Sequence, residues 1–118
     1  MGKLRLFHVY YMEADGDYTS KTIAADEAKA LYAEFPRGEI ISYIGYKNTA
    51  DLLSYLFGEN VPFSTGETFD VEDGDTMLVC TLKQRYQGNH RLRPKEVLTL
   101  ADVKLHRVDY KAPREEGL

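Results

Sequence analysis

Cysteine is almost missing from this chain of 118 residues: Cys80 stands alone, so no internal disulfide can form. A reducing, cytoplasmic setting is therefore expected. No apolar run approaches the roughly 20 residues needed to cross a bilayer, so no membrane partner is expected. The opening residues lack the charged, then apolar, then small-residue order of a secretory signal. Excess positive charge is absent too, and a net charge of −4 argues against a general binder of long DNA or RNA. Such proteins draw most of their affinity from clustered Lys and Arg. No His, Cys or carboxylate residues stand at metal-ligand spacing, so no metal and no other cofactor is expected. Neither an internal repeat nor a linker divides the sequence.

What is present is the make-up of an ordinary globular protein, 43% hydrophobic and 29% charged. The length suits one domain with a modest core, taken as residues 1–112, followed by a charged tail over 113–118. Charge is unevenly spread. Lys83, Arg85, Arg91, Arg93 and Lys95 have no acidic residue among them, while acids gather between Glu67 and Asp75 and at Glu115 and Glu116. A local basic surface on an acidic protein suits a compact anion; a solvated loop of mixed charge is the plainer alternative.

Periodicity predicts the elements. Leu4 to Tyr11 is apolar on both faces and reads as a central strand. Asp15-Gly16-Asp17 marks a turn, Tyr18 to Ile23 a short strand, and Ala24 to Phe35 a helix ended by Pro36-Arg37-Gly38. Glu39 to Ile44 reads as a buried strand. A second helix is expected to start with Asn48 as its cap, Asp51 completing a capping box, and to stop at Gly58. Thr68 to Val71 and Thr76 to Leu82 look like an antiparallel pair joined by Glu72-Asp73-Gly74-Asp75. Pro94 can open a short helix, and Val103 to Tyr110 forms the last strand. The sum is an α/β domain: a mixed sheet of about five strands with two or three helices.

Chemistry concentrates at Ser42-Tyr43-Ile44-Gly45-Tyr46-Lys47-Asn48-Thr49-Ala50, where a buried strand runs through a glycine into a helix. The first N–H groups of a helix have no internal partners and, with the helix dipole, form a ready anion site. Lys47 adds a cation, and Asn48 and Thr49 add hydrogen-bonding side chains. The plainer alternative is a tight turn at Gly45 and a capped helix, because this is not a full phosphate-loop signature.

Ile44-Gly45-Tyr46-Lys47-Asn48-Thr49-Ala50, the helix through Gly58, Val61-Pro62, Val71-Glu72-Asp73-Gly74-Asp75 and Leu82-Lys83-Gln84-Arg85 resemble, in order and spacing, the core of the viral ring nucleases. This family acts as type III anti-CRISPR proteins, and the likeness is clearest from about Glu39 to Gln87. The resemblance implies a symmetric homodimer with a pocket across the interface for cyclic tetra-adenylate, a second messenger of CRISPR immunity. It implies a metal-independent reaction in which a ribose 2′-hydroxyl attacks the neighbouring phosphate and a histidine protonates the departing 5′-oxygen. Arg85 takes the place of the family's phosphate-holding arginine, whose planar fork grips phosphate oxygens in pairs.

One departure matters: where the family reads Ile-Gly-His, this chain reads Ile44-Gly45-Tyr46. Imidazole exchanges protons near neutrality, whereas an unperturbed tyrosine titrates at about 10. A phenol suits binding, by stacking on a base or bonding a phosphate, better than it suits proton donation. Ser64-Thr65-Gly66 is a second departure, at a place where the family often carries a basic residue.

The expected ligand-binding set is Tyr10, Tyr11, Gly45, Tyr46, Lys47, Asn48, Thr49 and Arg85, and the candidate catalytic residues are Tyr46 and His90. His8 and His106 fall inside predicted strands and read as structural. Three functions follow: sequestration of a cyclic nucleotide messenger without efficient cleavage, a working ring nuclease, or a protein-interaction module on the same fold.

Overall fold

The computed structural model describes residues 2–63, 68–83 and 98–113. Its elements are β1 (Leu4–Phe7), β2 (Asp17–Ile23), α1 (Ala25–Ala33), β3 (Ile40–Ser42), α2 (Lys47–Phe57), β4 (Thr76–Leu82) and β5 (Val103–Lys111), with 3-10 turns at Arg37–Glu39 and Leu100–Asp102. The strands form one five-stranded sheet in the order β2-β5-β4-β1-β3. β1 runs parallel to β3 and β4, while β5 runs antiparallel to β4 and β2. This is the expected α/β domain with a mixed sheet.

β1 is central and doubly covered because its side chains alternate between two apolar layers. Leu4 and Leu6 pack with Ala28 and Leu31 of α1 and with Ala50 and Leu53 of α2. Phe7 faces the other way, among Met77, Val79, Val108 and Tyr110, where Tyr11, Ala14 and Phe69 close over it. Both helices therefore lie on one face, and chain segments without regular structure cover the other. A buried ion pair stands on this second face. Arg5 and Asp75 are 3% and 2% exposed and meet at 2.5 Å, and Arg5 also donates to the Tyr43 hydroxyl at 2.7 Å.

Six local expectations need correction. The expected strand at Thr68–Val71 does not form, because β4 already spends both edges, on β1 and β5. A strand has only two edges, and Phe69 instead joins the aromatic cluster around Phe7. The turn at 72–75 survives: the Asp75 N–H donates to the Glu72 carbonyl at 3.0 Å. β1 stops at Phe7 rather than Tyr11, since the chain leaves the ladder at His8 and passes behind the sheet.

α2 begins with Tyr46, not Asn48, at its cap, since the Ala50 N–H already donates to the Tyr46 carbonyl at 3.0 Å. Asp51 makes no capping box and instead binds the Lys47 ammonium one turn back, at 2.9 Å. β3 covers only Ile40–Ser42, and α1 only Ala25–Ala33, with the Glu27 carboxylate accepting from the Ala24 N–H. The helix stop at Gly58 holds: its φ of 70° is the left-handed conformation that ends helices. The segment expected to open a helix at Pro94, Ser64-Thr65-Gly66 and the tail from residue 114 lie outside the described residues.

Candidate functional site

β1, β3 and β4 are parallel, so their carboxyl ends emerge at the same end of the sheet. In open α/β sheets this is where ligands bind. His8 leaves β1 there, and Ile44-Gly45-Tyr46 leads from β3 into α2.

The two segments lock together through His8. The Gly45 N–H donates to His8 Nδ1 at 3.0 Å. An N–H can only donate, so His8 is a neutral ring with its proton on Nε2. Burial lowers the affinity of this imidazole for a second proton, and the neighbouring Tyr43 backbone, which favours the protonated ring, opposes that in part. The ring lies so close that a Cβ on residue 45 would stand 3.0 Å from His8 Cε1. Glycine thus spares this turn a tight contact with the side chain that leaves β1. The Tyr46 ring meets His8 edge-on, with centroids 4.8 Å apart, and Phe69 backs it at 6.0 Å.

Beyond that contact Tyr46 is 60% exposed. Lys47 is exposed beside Asp51. Asn48 Oδ1 accepts the Thr49 N–H at 2.8 Å, and Thr49 is buried. One of the first N–H groups of α2 is therefore held by the chain's own side chain. Tyr10 lies further along the sheet, its half-exposed ring 5.0 Å from that of His106. His106 is buried in β5, with Thr81 Oγ1 at 3.1 Å from Nε2 and Thr22 Oγ1 at 3.4 Å from Nδ1. Burial, with help from Lys104, moves its titration below the usual histidine range.

The structure thus gathers Gly45, Tyr46 and Lys47 at one strand end, with Asn48 and Thr49 in the first turn of α2. Tyr10 and Tyr11 diverge: Tyr10 reaches His106, while Tyr11 stacks on Phe7 behind the sheet, at 5.8 Å. Arg85 and His90 lie outside the described residues. The residue that sequence reasoning missed is His8. Its signal was the buried quartet Leu4–Phe7, after which a strand can end and its next side chain turn toward the mouth. Among the described residues no group of three His, Cys, Asp or Glu side chains is placed to hold a metal, and no helix is long and apolar enough to cross a membrane.

Fold and site together define a small α/β domain with both helices on one face of a mixed sheet and a glycine junction at the parallel strand ends. The model of the STIV B116-like family matches residues 4–111, and the chain belongs to that family. Among solved structures it is similar to B116 of Sulfolobus turreted icosahedral virus, at 20% identity and a TM-score of 0.68, over 91% of this chain and 98% of that one. At that identity the likeness is one of fold. The family takes its name from a viral protein, which agrees with the viral side of the resemblance read in the sequence. No curated protein matches the chain.

Proposed function

We propose that this protein binds a cyclic nucleotide messenger of an immune response, cyclic tetra-adenylate or a relative, and holds it without fast cleavage. Two copies share the pocket, and the effect is sequestration. The observation that carries the reading is the pairing of Tyr46 with His8. A phenol stands where the resemblance implies a histidine acid, and the histidine that the fold brings beside it is neutral, its Nδ1 occupied by Gly45. Opening the ring requires a proton for the departing 5′-oxygen. A neutral imidazole with a lowered proton affinity is a poor source of one near neutrality.

The same groups serve binding. The exposed Tyr46 ring offers a face to a base, the start of α2 favours phosphate, and Lys47 adds a positive charge. Arg85, by resemblance, grips phosphate.

The test is incubation of the purified protein with a panel of cyclic oligonucleotides, followed by chromatography of native and heat-denatured samples. Ligand missing from the native run and recovered intact after denaturation supports sequestration. Linear products refute it and favour the ring nuclease, with Tyr46 and His90 as first suspects. Arg85→Ala abolishes capture under either reading, and Tyr46→His raises cleavage if the site is a disabled nuclease. The interaction-module reading has one observation in its favour, an open cleft of about 670 Å³ lined by Leu52, Tyr55, Leu98 and Leu100. It predicts that every nucleotide passes through free and that Arg85→Ala changes nothing specific.

A further inference from the structure

We propose that His8 is the positioning residue of this site, and that protonating its imidazole releases the Gly45–Tyr46 turn, so that ligand is held at neutral pH and let go in acid. The part concerning ligand rests on the functional reading above; the part concerning the turn does not.

The geometry carries the inference. Gly45 N–H and His8 Nδ1 stand 3.0 Å apart as donor and acceptor, joining the exit of β1 to the entry of α2. An imidazolium has a hydrogen on both nitrogens. Protonation at Nδ1 would set two donors against each other at that distance, and the bond becomes a repulsion. The acceptor left for the new N–H is the Tyr43 carbonyl, the group that already favours the protonated ring. The imidazole has little room to turn away, because its Nδ1 is held against the Gly45 N–H and the Tyr46 and Phe69 rings flank it. The strain falls on the turn. Tyr46 is both the ring exposed at the mouth and the residue whose carbonyl takes the first helical bond of α2, from Ala50. A shift at Gly45 therefore moves the aromatic face and the helix start together.

Among the described residues, the titratable groups on the packed elements are otherwise engaged. The Tyr43 hydroxyl is bound by Arg5, Lys47 is paired with Asp51, and Asp70 accepts the Val71 N–H at 2.9 Å. The Tyr46 phenol meets the imidazole through its ring. Among the described residues the forces acting on His8 are burial and the Tyr43 backbone, with no carboxylate holding the charged form.

Two measurements test this. In the ligand-free protein, NMR follows the His8 ring and the Gly45 amide from pH 8 to pH 5; both should move with one midpoint, below the ordinary histidine value of about 6.5. Binding of cyclic tetra-adenylate is then measured at pH 7.5 and pH 5.0. The wild type should weaken by about tenfold in acid, the factor that loss of one hydrogen bond of ordinary strength gives. His8→Leu should weaken capture at both pH values. His8→Asn, whose Oδ1 can accept the Gly45 N–H but cannot titrate, should restore capture and abolish its pH dependence.

A His8→Asn variant that keeps the wild-type pH profile overturns the proposal, as does a Gly45 amide that ignores the His8 titration. Should the wild type bind no cyclic nucleotide at pH 7.5, the functional reading falls. The NMR titration then still decides whether His8 governs the turn.

Discussion

Replacing Arg5 by methionine should cost this small protein about 3 kcal/mol, and the structure says why the figure is neither larger nor smaller. Arg5 and Asp75 are both buried, at 3% and 2% exposure, and the guanidinium reaches the carboxylate, the Tyr43 hydroxyl and Glu72. Removing one partner of a buried pair costs about 3–5 kcal/mol, because the charge left behind has lost both water and counterion. Asp75 would keep two backbone donors, Lys3 N–H at 2.8 Å and Glu72 N–H at 2.7 Å, which places the loss at the lower end. The Glu72 contact adds little, since that side chain is 66% exposed and water screens it.

For a chain of this size each kcal/mol is worth about 4 °C in Tm, so Arg5→Met should melt about 12 °C lower. Urea unfolding followed by circular dichroism gives the free energy, and calorimetry gives the melting point. Asp75→Asn should lose a comparable amount, and the double variant should be far less damaged than the sum. Losses that add within about 0.5 kcal/mol would mean that the two residues do not interact, and the reasoning would fail. The result bears on the site as well, since Arg5 anchors Tyr43, two residues before Gly45.

Three further outcomes follow from the same contacts. Gly45→Ala places a methyl group 3.0 Å from His8 Cε1, an overpacking expected to cost about 1–3 kcal/mol and to shift the His8 ring resonances; an unchanged urea midpoint would refute the close approach. His8 and His106 both bind protons less readily in the folded protein than in the unfolded chain, so the unfolded state gains protons first as pH falls. The stability they contribute is full above the ordinary histidine value of about 6.5 and is lost below it, through the lower folded values. The urea midpoint should therefore drop between pH 7.5 and pH 5.0 and do so less in His8→Asn; a midpoint that rises in acid contradicts both assignments. Cys80 is 3% exposed with its thiol pushed up to about 12, so an aromatic disulfide reagent at pH 8 should label it only after unfolding; rapid labelling of the native protein would place it elsewhere.

Local chemistry made much of this fold legible. The apolar crowding of Leu4 to Phe7 marks a strand covered on both faces, and the spacing of Ala28 and Leu31, and of Ala50 and Leu53, marks the inner faces of two helices. Gly58 ends α2 because only its own backbone conformation is at issue. The junction at Gly45 could be singled out as well, as a glycine between a buried strand and a helix start.

Tertiary structure decided what depends on partners distant in the chain. Thr68–Val71 has a sequence fit for a strand, yet no strand edge is left for it once β1 and β5 flank β4. Tyr10 and Tyr11 would already take opposite faces of a strand that continued, and what the fold adds is their partners, His106 for Tyr10 and Phe7 for Tyr11, in a chain that has left the ladder. His8 itself reads as a strand residue until β1 and β3 are set side by side, which brings its Nδ1 onto the Gly45 N–H. The sequence alone determined which segments can form strands and helices and where the chain can turn, because periodicity and turn chemistry act over a few residues. Which side chains meet at the mouth was decided only by the pairing of the sheet, since a hydrogen bond between distant residues exists only after the strands that carry them have found each other.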